Sequence, residues 1–141
     1  MTRFIVAAAL CTFISACATS PIATSQAISV PASRVLDQRW LSSLPGSGSF
    51  IVKRDTGILG SGCMIRLYVD SISVADLRPG EKVELFLPTG EHLLGAGPSG
   101  ICGGGSAGAY VEASVIIAQD RDRLYRIAVG QGGILLQPTA F

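Results

Sequence analysis

From Phe50 to Gln137 the chain reads as a series of short apolar alternations broken by Gly, Pro and Asp. In Met64-Ile65-Arg66-Leu67-Tyr68-Val69 every second side chain is branched aliphatic. That puts Ile65, Leu67 and Val69 on one face of a strand and Met64, Arg66 and Tyr68 on the other. Val83-Glu84-Leu85-Phe86-Leu87 repeats the pattern, with Glu84 and Phe86 turned outward, and residues 125–129 repeat it again. Further strands are predicted at residues 50–52, 74–77, 92–94, 110–118 and 134–137. The breaks carry Asp70-Ser71, Pro79-Gly80, Pro88-Thr89-Gly90 and Asp120-Arg121-Asp122, all with turn chemistry. About seven to eight short strands at this spacing predict a mainly β chain, a small antiparallel, Ig-like β-sandwich or a small barrel.

Upstream the pattern changes. Leu36 and Trp40 stand four apart within Arg34-Val35-Leu36-Asp37-Gln38-Arg39-Trp40-Leu41, with Ser33 as an N-cap and Pro45-Gly46 as a stop, which predicts one short helix over residues 34–41. Residues 18–33, ATSPIATSQAISVPAS, hold no charge and no Gly, whereas all 17 glycines lie between Gly46 and Gly133. That shift reads as a tether handing over to a turn-rich domain.

Arg3 precedes an uncharged, Pro-free run from Phe4 to Ala16, the layout of an export signal. The run is too short for a helix across a hydrocarbon core of about 30 Å. It ends in Ile14-Ser15-Ala16-Cys17, which resembles the lipobox of bacterial lipoproteins: an aliphatic residue, two small residues and the Cys that accepts the lipid. The resemblance implies cleavage before Cys17, acylation of Cys17 with three chains and attachment to a membrane without spanning it. Ala18, where an Asp would resemble an inner-membrane retention signal, implies sorting to the outer membrane, facing the periplasm, with the inner membrane and the cell surface as alternatives. The chain then divides into a signal peptide (1–16), a lipidated N-terminus and tether (17–33), and a β-sandwich domain with a leading helix (34–141).

Val69-Asp70, Pro79-Gly80 and Leu87-Pro88-Thr89-Gly90-Glu91-His92 fall within residues 67–94, a stretch that resembles PEGA-like repeats and the bacterial lipoproteins that share their pattern. The resemblance implies a small β-sandwich serving as an envelope or surface module, with no catalytic set. Ser71-Ile72-Ser73 departs from it, since a typical member places Gly or Asn at that turn.

Composition narrows the function further. Eleven Lys and Arg against 10 Asp and Glu give no field for recruiting nucleic acid, and 48% hydrophobic with 15% charged residues is too apolar for a disordered chain. With Cys11 inside the export signal and Cys17 acylated, Cys63 and Cys102 remain, and two thiols in an oxidising compartment predict one disulfide. A redox or metal-binding pair is the alternative, but no C-x-x-C spacing supports it.

Gly95-Ala96-Gly97-Pro98-Ser99-Gly100 matches G-x-G-x-x-G. Ile101-Cys102-Gly103-Gly104-Gly105 follows it, however, where a dinucleotide site needs a helix, so the stretch is read as a long loop. His92, the sole histidine, reads as a surface or turn residue near Asp70. Ser61-Gly62 ahead of Tyr68 is similar to motifs in lipoproteins that inhibit lysozyme, with too few shared letters to assign roles.

The sequence therefore predicts a non-catalytic envelope binding or structural module without a cofactor or metal. Its partners are the membrane, through Cys17, and a protein or cell-wall component. The rival readings are an inhibitor of a cell-wall hydrolase and an accessory subunit of a secretion, conjugation or transport machine. Tyr, Arg and Phe are enriched at interface cores, which marks Arg66, Tyr68 and Phe86 as one contact surface. The alternative is that the 34–41 helix covers that face.

Overall fold

A computed structural model describes residues 19–103 and 110–140. The export signal and Cys17 lie outside the described residues. The alternating segments form β2 (Ser47–Arg54), β3 (Met64–Val69), β4 (Ile72–Leu77), β5 (Glu81–Pro88), β6 (Gly90–Ser99), β7 (Val111–Ile117), β8 (Arg123–Gly130) and β9 (Gly133–Pro138). A two-residue strand, β1 (Ile28–Ser29), precedes them. They build two sheets, one in the order β1-β5-β2-β8-β9 and the other β4-β3-β6-β7. The predicted sandwich is present. Its pairings are antiparallel except for β1 with β5 and β2 with β8, which run parallel.

Alternation sets the core. Ile65, Leu67 and Val69 from one sheet meet Phe50, Val52, Val83, Leu85, Leu87 and Ile127 from the other, nearly all of them fully buried. Phe50 and Tyr125 pack edge to face with centroids 5.6 Å apart. The β3–β4 turn is tight without Gly: Asp70 and Ser71 both take positive φ, 49° and 69°, as a type I′ hairpin requires. The Asp70 carboxylate supports that backbone by accepting the Leu93 N–H and facing Nδ1 of His92.

Two expectations change. The 34–41 helix is absent: two 3-10 turns, Ala32–Arg34 and Gln38–Leu41, flank an extended Val35. Val35 bridges to Ala75 on the edge strand β4, and the Leu36 and Asp37 N–H groups both donate to the Val74 carbonyl. Those sheet-edge bonds engage donors that a helix would turn inward, and they leave Leu36 46% exposed rather than buried beside Trp40.

The described part of the supposed tether, from Thr19 onward, is docked. Ser20 and Thr56 exchange both backbone bonds at 2.7 and 3.1 Å, β1 pairs with the start of β5, and Ala27 and Val30 are buried. Two cations fasten the segment: Lys53 Nζ donates to Thr24 Oγ1 and Lys82 Nζ to the Thr24 carbonyl. Arg34 forms a two-pronged ion pair with Glu81 on β5 and also donates to the Asp76 carbonyl on β4. It thereby staples the two sheets along their open side and blunts an edge that would otherwise pair with another chain.

Candidate functional site

The proposed contact residues do not share a surface. β3 and β5 lie in different sheets and both turn Leu67 and Leu85 into the common core, so Arg66 and Tyr68 face out from one side of the sandwich and Phe86 from the other. Among the described residues no α-helix covers either face, and only the 3-10 turn Gln38–Leu41 lies against β5. Alternation within a strand assigns in and out correctly, but it carries no information on which sheet a strand joins.

On the β4-β3-β6-β7 face, Arg66 is already engaged. Its Nε and Nη2 donate to the two carboxylate oxygens of Asp76 at 2.9 and 2.8 Å, and Ser99 Oγ donates to Asp76 Oδ1 at 2.8 Å. The Arg66 fork holds the Asp76 carboxyl below the usual carboxylate range, against burial, which acts the other way. Tyr68 packs edge to face with Tyr110, centroids 5.5 Å apart.

The G-x-G stretch finds its role here. Residues 95–99 belong to β6 rather than to a loop, and Gly95 and Gly97 stand beside Tyr68 and Arg66 in register. The Tyr110 ring lies across both glycines. A Cβ at Gly95 would sit 1.9 Å from Tyr110 Oη, and one at Gly97 3.0 Å from Cδ2 of the ring. These glycines form a seat for an aromatic side chain, where a nucleotide fingerprint would use them to approach phosphate. Burial raises the Tyr110 hydroxyl pKa, with Glu112 adding to the shift.

Cys63 and Cys102 are bonded, with Cα atoms 5.6 Å apart. The bridge ties the 3-10 turn Gly100–Cys102 after β6 to the 57–63 loop before β3. Arg54 holds the same loop from inside. It is 1% exposed, and its guanidinium donates to the carbonyls of Gly60, Cys63 and Leu77 at 2.7, 2.7 and 2.9 Å. Burial pushes its pKa down to about 10. Asp55, the next residue, is buried and pairs through Oδ2 with Arg126.

β2, β4 and β6 finish at this end of the sandwich and β3, β5 and β7 begin here. A cleft of about 420 Å³ opens beside the disulfide, lined by residues that include Met64, Arg78, Ser99 and Ile101. At the opposite end His92 Nδ1 faces Asp70 Oδ2 at 2.7 Å and Nε2 faces the Pro88 carbonyl at 2.8 Å, so both ring nitrogens are occupied in holding turns together.

Among the described residues no group of three or more His, Cys, Asp or Glu is arranged to hold a metal ion, and no helix is long and apolar enough to cross a membrane. No family model, curated protein or solved structure matches the chain. The arrangement is one of ion-pair clamps, Arg66 with Asp76, Arg126 with Asp55, and Arg34 with Glu81, in which only the buried Oδ1 of Asp55 lacks a hydrogen-bond partner. Sequence reading missed Arg54, Asp76 and Tyr110. Asp76 stands opposite Arg66 in register, and that pairing becomes visible once the β3–β4 hairpin is drawn.

Proposed function

We propose that this protein is a non-catalytic lipoprotein of the bacterial envelope, acylated on Cys17, sorted to the outer membrane and facing the periplasm, where it presents a rigid sandwich to a protein or cell-wall partner. The observation that carries this reading is Ile14-Ser15-Ala16-Cys17 at the end of a charge-free run behind Arg3. The Cys63–Cys102 bond supports an oxidising compartment. Engagement of Arg66, Asp76, Ser99 and His92 in bonds within the fold supports a structural or binding role for them rather than a chemical one.

Metabolic labelling of the expressing bacterium with an alkyne analogue of palmitate tests the anchor. Label on the wild type, lost in Cys17→Ala together with membrane fractionation, is the expected result. Equal labelling of both chains, or none on either, would overturn the reading.

A further inference from the structure

The docking of the described residues from Thr19 onward constrains where the sandwich sits. Thr19 is fixed: its Oγ1 accepts the Val129 N–H at 3.3 Å, its Cα lies 2.9 Å from where a Gly57 Cβ would stand, and its neighbour Ser20 bridges to Thr56. Cys17 is two residue steps away, a reach of at most about 7 Å. A free tether over residues 18–33 would allow roughly 50 Å. An acylated Cys17 therefore holds the end of the sandwich that carries Thr19 against the headgroups.

That end is built unlike the other. The two most exposed large apolar side chains among the described residues, Ile101 at 93% and Ile58 at 85%, both lie on it. Ile58 follows the Gly57 that touches Thr19, and Ile101 is tied to the same loop through Cys102 and Cys63. Ile28, 72% exposed, pairs with the first residue of β5 at this same end. Arg78 is exposed in the β4–β5 turn, while the carboxylates nearby, Asp55 and Glu81, are occupied by Arg126 and Arg34. Four of the six exposed acids among the described residues, Asp70, Glu91, Asp120 and Asp122, cluster at the opposite end, where Arg121 is the exposed cation, while Glu84 and Glu112 lie mid-strand.

From these features, and resting on the acylation of Cys17, we infer that the sandwich docks end-on onto the bilayer, with Ile58 and Ile101 entering the headgroup region, Arg78 beside lipid phosphates and the acidic end pointing away. Apolar side chains at the interface add to the hold of the acyl chains, and a cation there meets phosphate rather than a carboxylate. The domain is thereby oriented as well as attached, and both outer sheet faces are left accessible from the side.

Bromolipid quenching of tryptophan tests this. Full-length protein purified from bacterial membranes is reconstituted in phosphatidylethanolamine–phosphatidylglycerol vesicles with brominated acyl chains, as Ile58→Trp, Ile101→Trp and Ile116→Trp, with the parent's Trp40 emission as baseline. All three positions are exposed enough to accept the ring, and Ile116 lies toward the acidic end, opposite Glu91. Intact mass of each sample reports the lipid on Cys17.

With lipid present, the added emission at 58 and 101 should be mostly lost while that at 116 survives. Lipid present with 58 and 116 quenched alike, or with neither quenched, overturns the docking and leaves the anchor standing. The same holds if a dimer forms through this end. An unmodified Cys17 removes the anchor and the docking together.

Discussion

Arg54 offers the sharpest test of how this fold is held, because one side chain spans the seam between the sheets. Arg54→Met keeps most of the buried stem and deletes the fork that satisfies the Gly60, Cys63 and Leu77 carbonyls. The Leu77 bond is fully buried, so that acceptor is left without a partner at a cost of about 1–3 kcal/mol. The Gly60 and Cys63 carbonyls are partly buried and regain water, losing about 0.5–1.5 kcal/mol each.

Against this stands the relief of no longer burying a cation whose pKa burial has pushed down to about 10. The lost bonds sum to about 2–6 kcal/mol and the relief offsets about 3 kcal/mol of that, so the balance is a loss of about 1–2 kcal/mol against the roughly 5–15 kcal/mol that holds a domain together. For a chain of this size that lowers the melting midpoint by about 5 °C. Arg54→Lys should fall between, since a compact ammonium cannot span three divergent carbonyls. Thermal unfolding followed by near-ultraviolet circular dichroism reads both. An Arg54→Met midpoint equal to the parent's would refute the claim that these bonds couple the sheets.

Replacing Cys63 and Cys102 together by Ser opens a loop with a sequence separation of 39 and should cost about 4 kcal/mol in chemical denaturation; unchanged stability would deny the bridge a structural role. Gly95→Ala drives a Cβ into Tyr110 and should destabilise by about 1–3 kcal/mol. Adding Tyr110→Ala should recover part of that loss, and simple additivity would show that the ring does not sit there. Because Arg66 holds the folded Asp76 carboxyl below its unfolded value, this pair stabilises the fold above the ordinary carboxylate range. The contribution disappears as pH falls through the folded pKa. Asp76→Asn should therefore lower stability at neutral pH and flatten its decline in acid, as equilibrium unfolding at several pH values will read. Hydrogen exchange should find the Ser20, Ile28 and Val30 amides protected, whereas a tether would exchange them at the rate of free chain.

The sequence made some of this architecture legible and hid the rest for physical reasons. Period-two alternation in Met64–Val69 and Glu81–Pro88 reports burial directly, so strand positions and inward faces could be read off. Sheet membership could not be, because it depends on pairings as distant as Val52 with Tyr125, and so Phe86 was grouped with Arg66 and Tyr68 from the other face. The helix at 34–41 failed because a spacing of four between Leu36 and Trp40 is weak evidence beside a free sheet edge that takes up the backbone donors.

The stretch 18–33 looked like a tether because it lacks charge. Its docking is supplied by Lys53 and Lys82 far along the chain, and Ala27-Ile28-Ser29-Val30, buried at its two ends and exposed between, lacks the period-two pattern that marks a strand. The Gly95 and Gly97 pair was the hardest to place. A glycine that seats a ring and a glycine that approaches phosphate look the same until the ring is located.

The intact mass of the protein extracted from the envelope tests the central claim most directly. The account predicts a chain that begins at Cys17, carries the added mass of acyl chains on that residue, and keeps Cys63 and Cys102 bonded. A mature chain that begins elsewhere, or a Cys17 of unmodified mass, would contradict it.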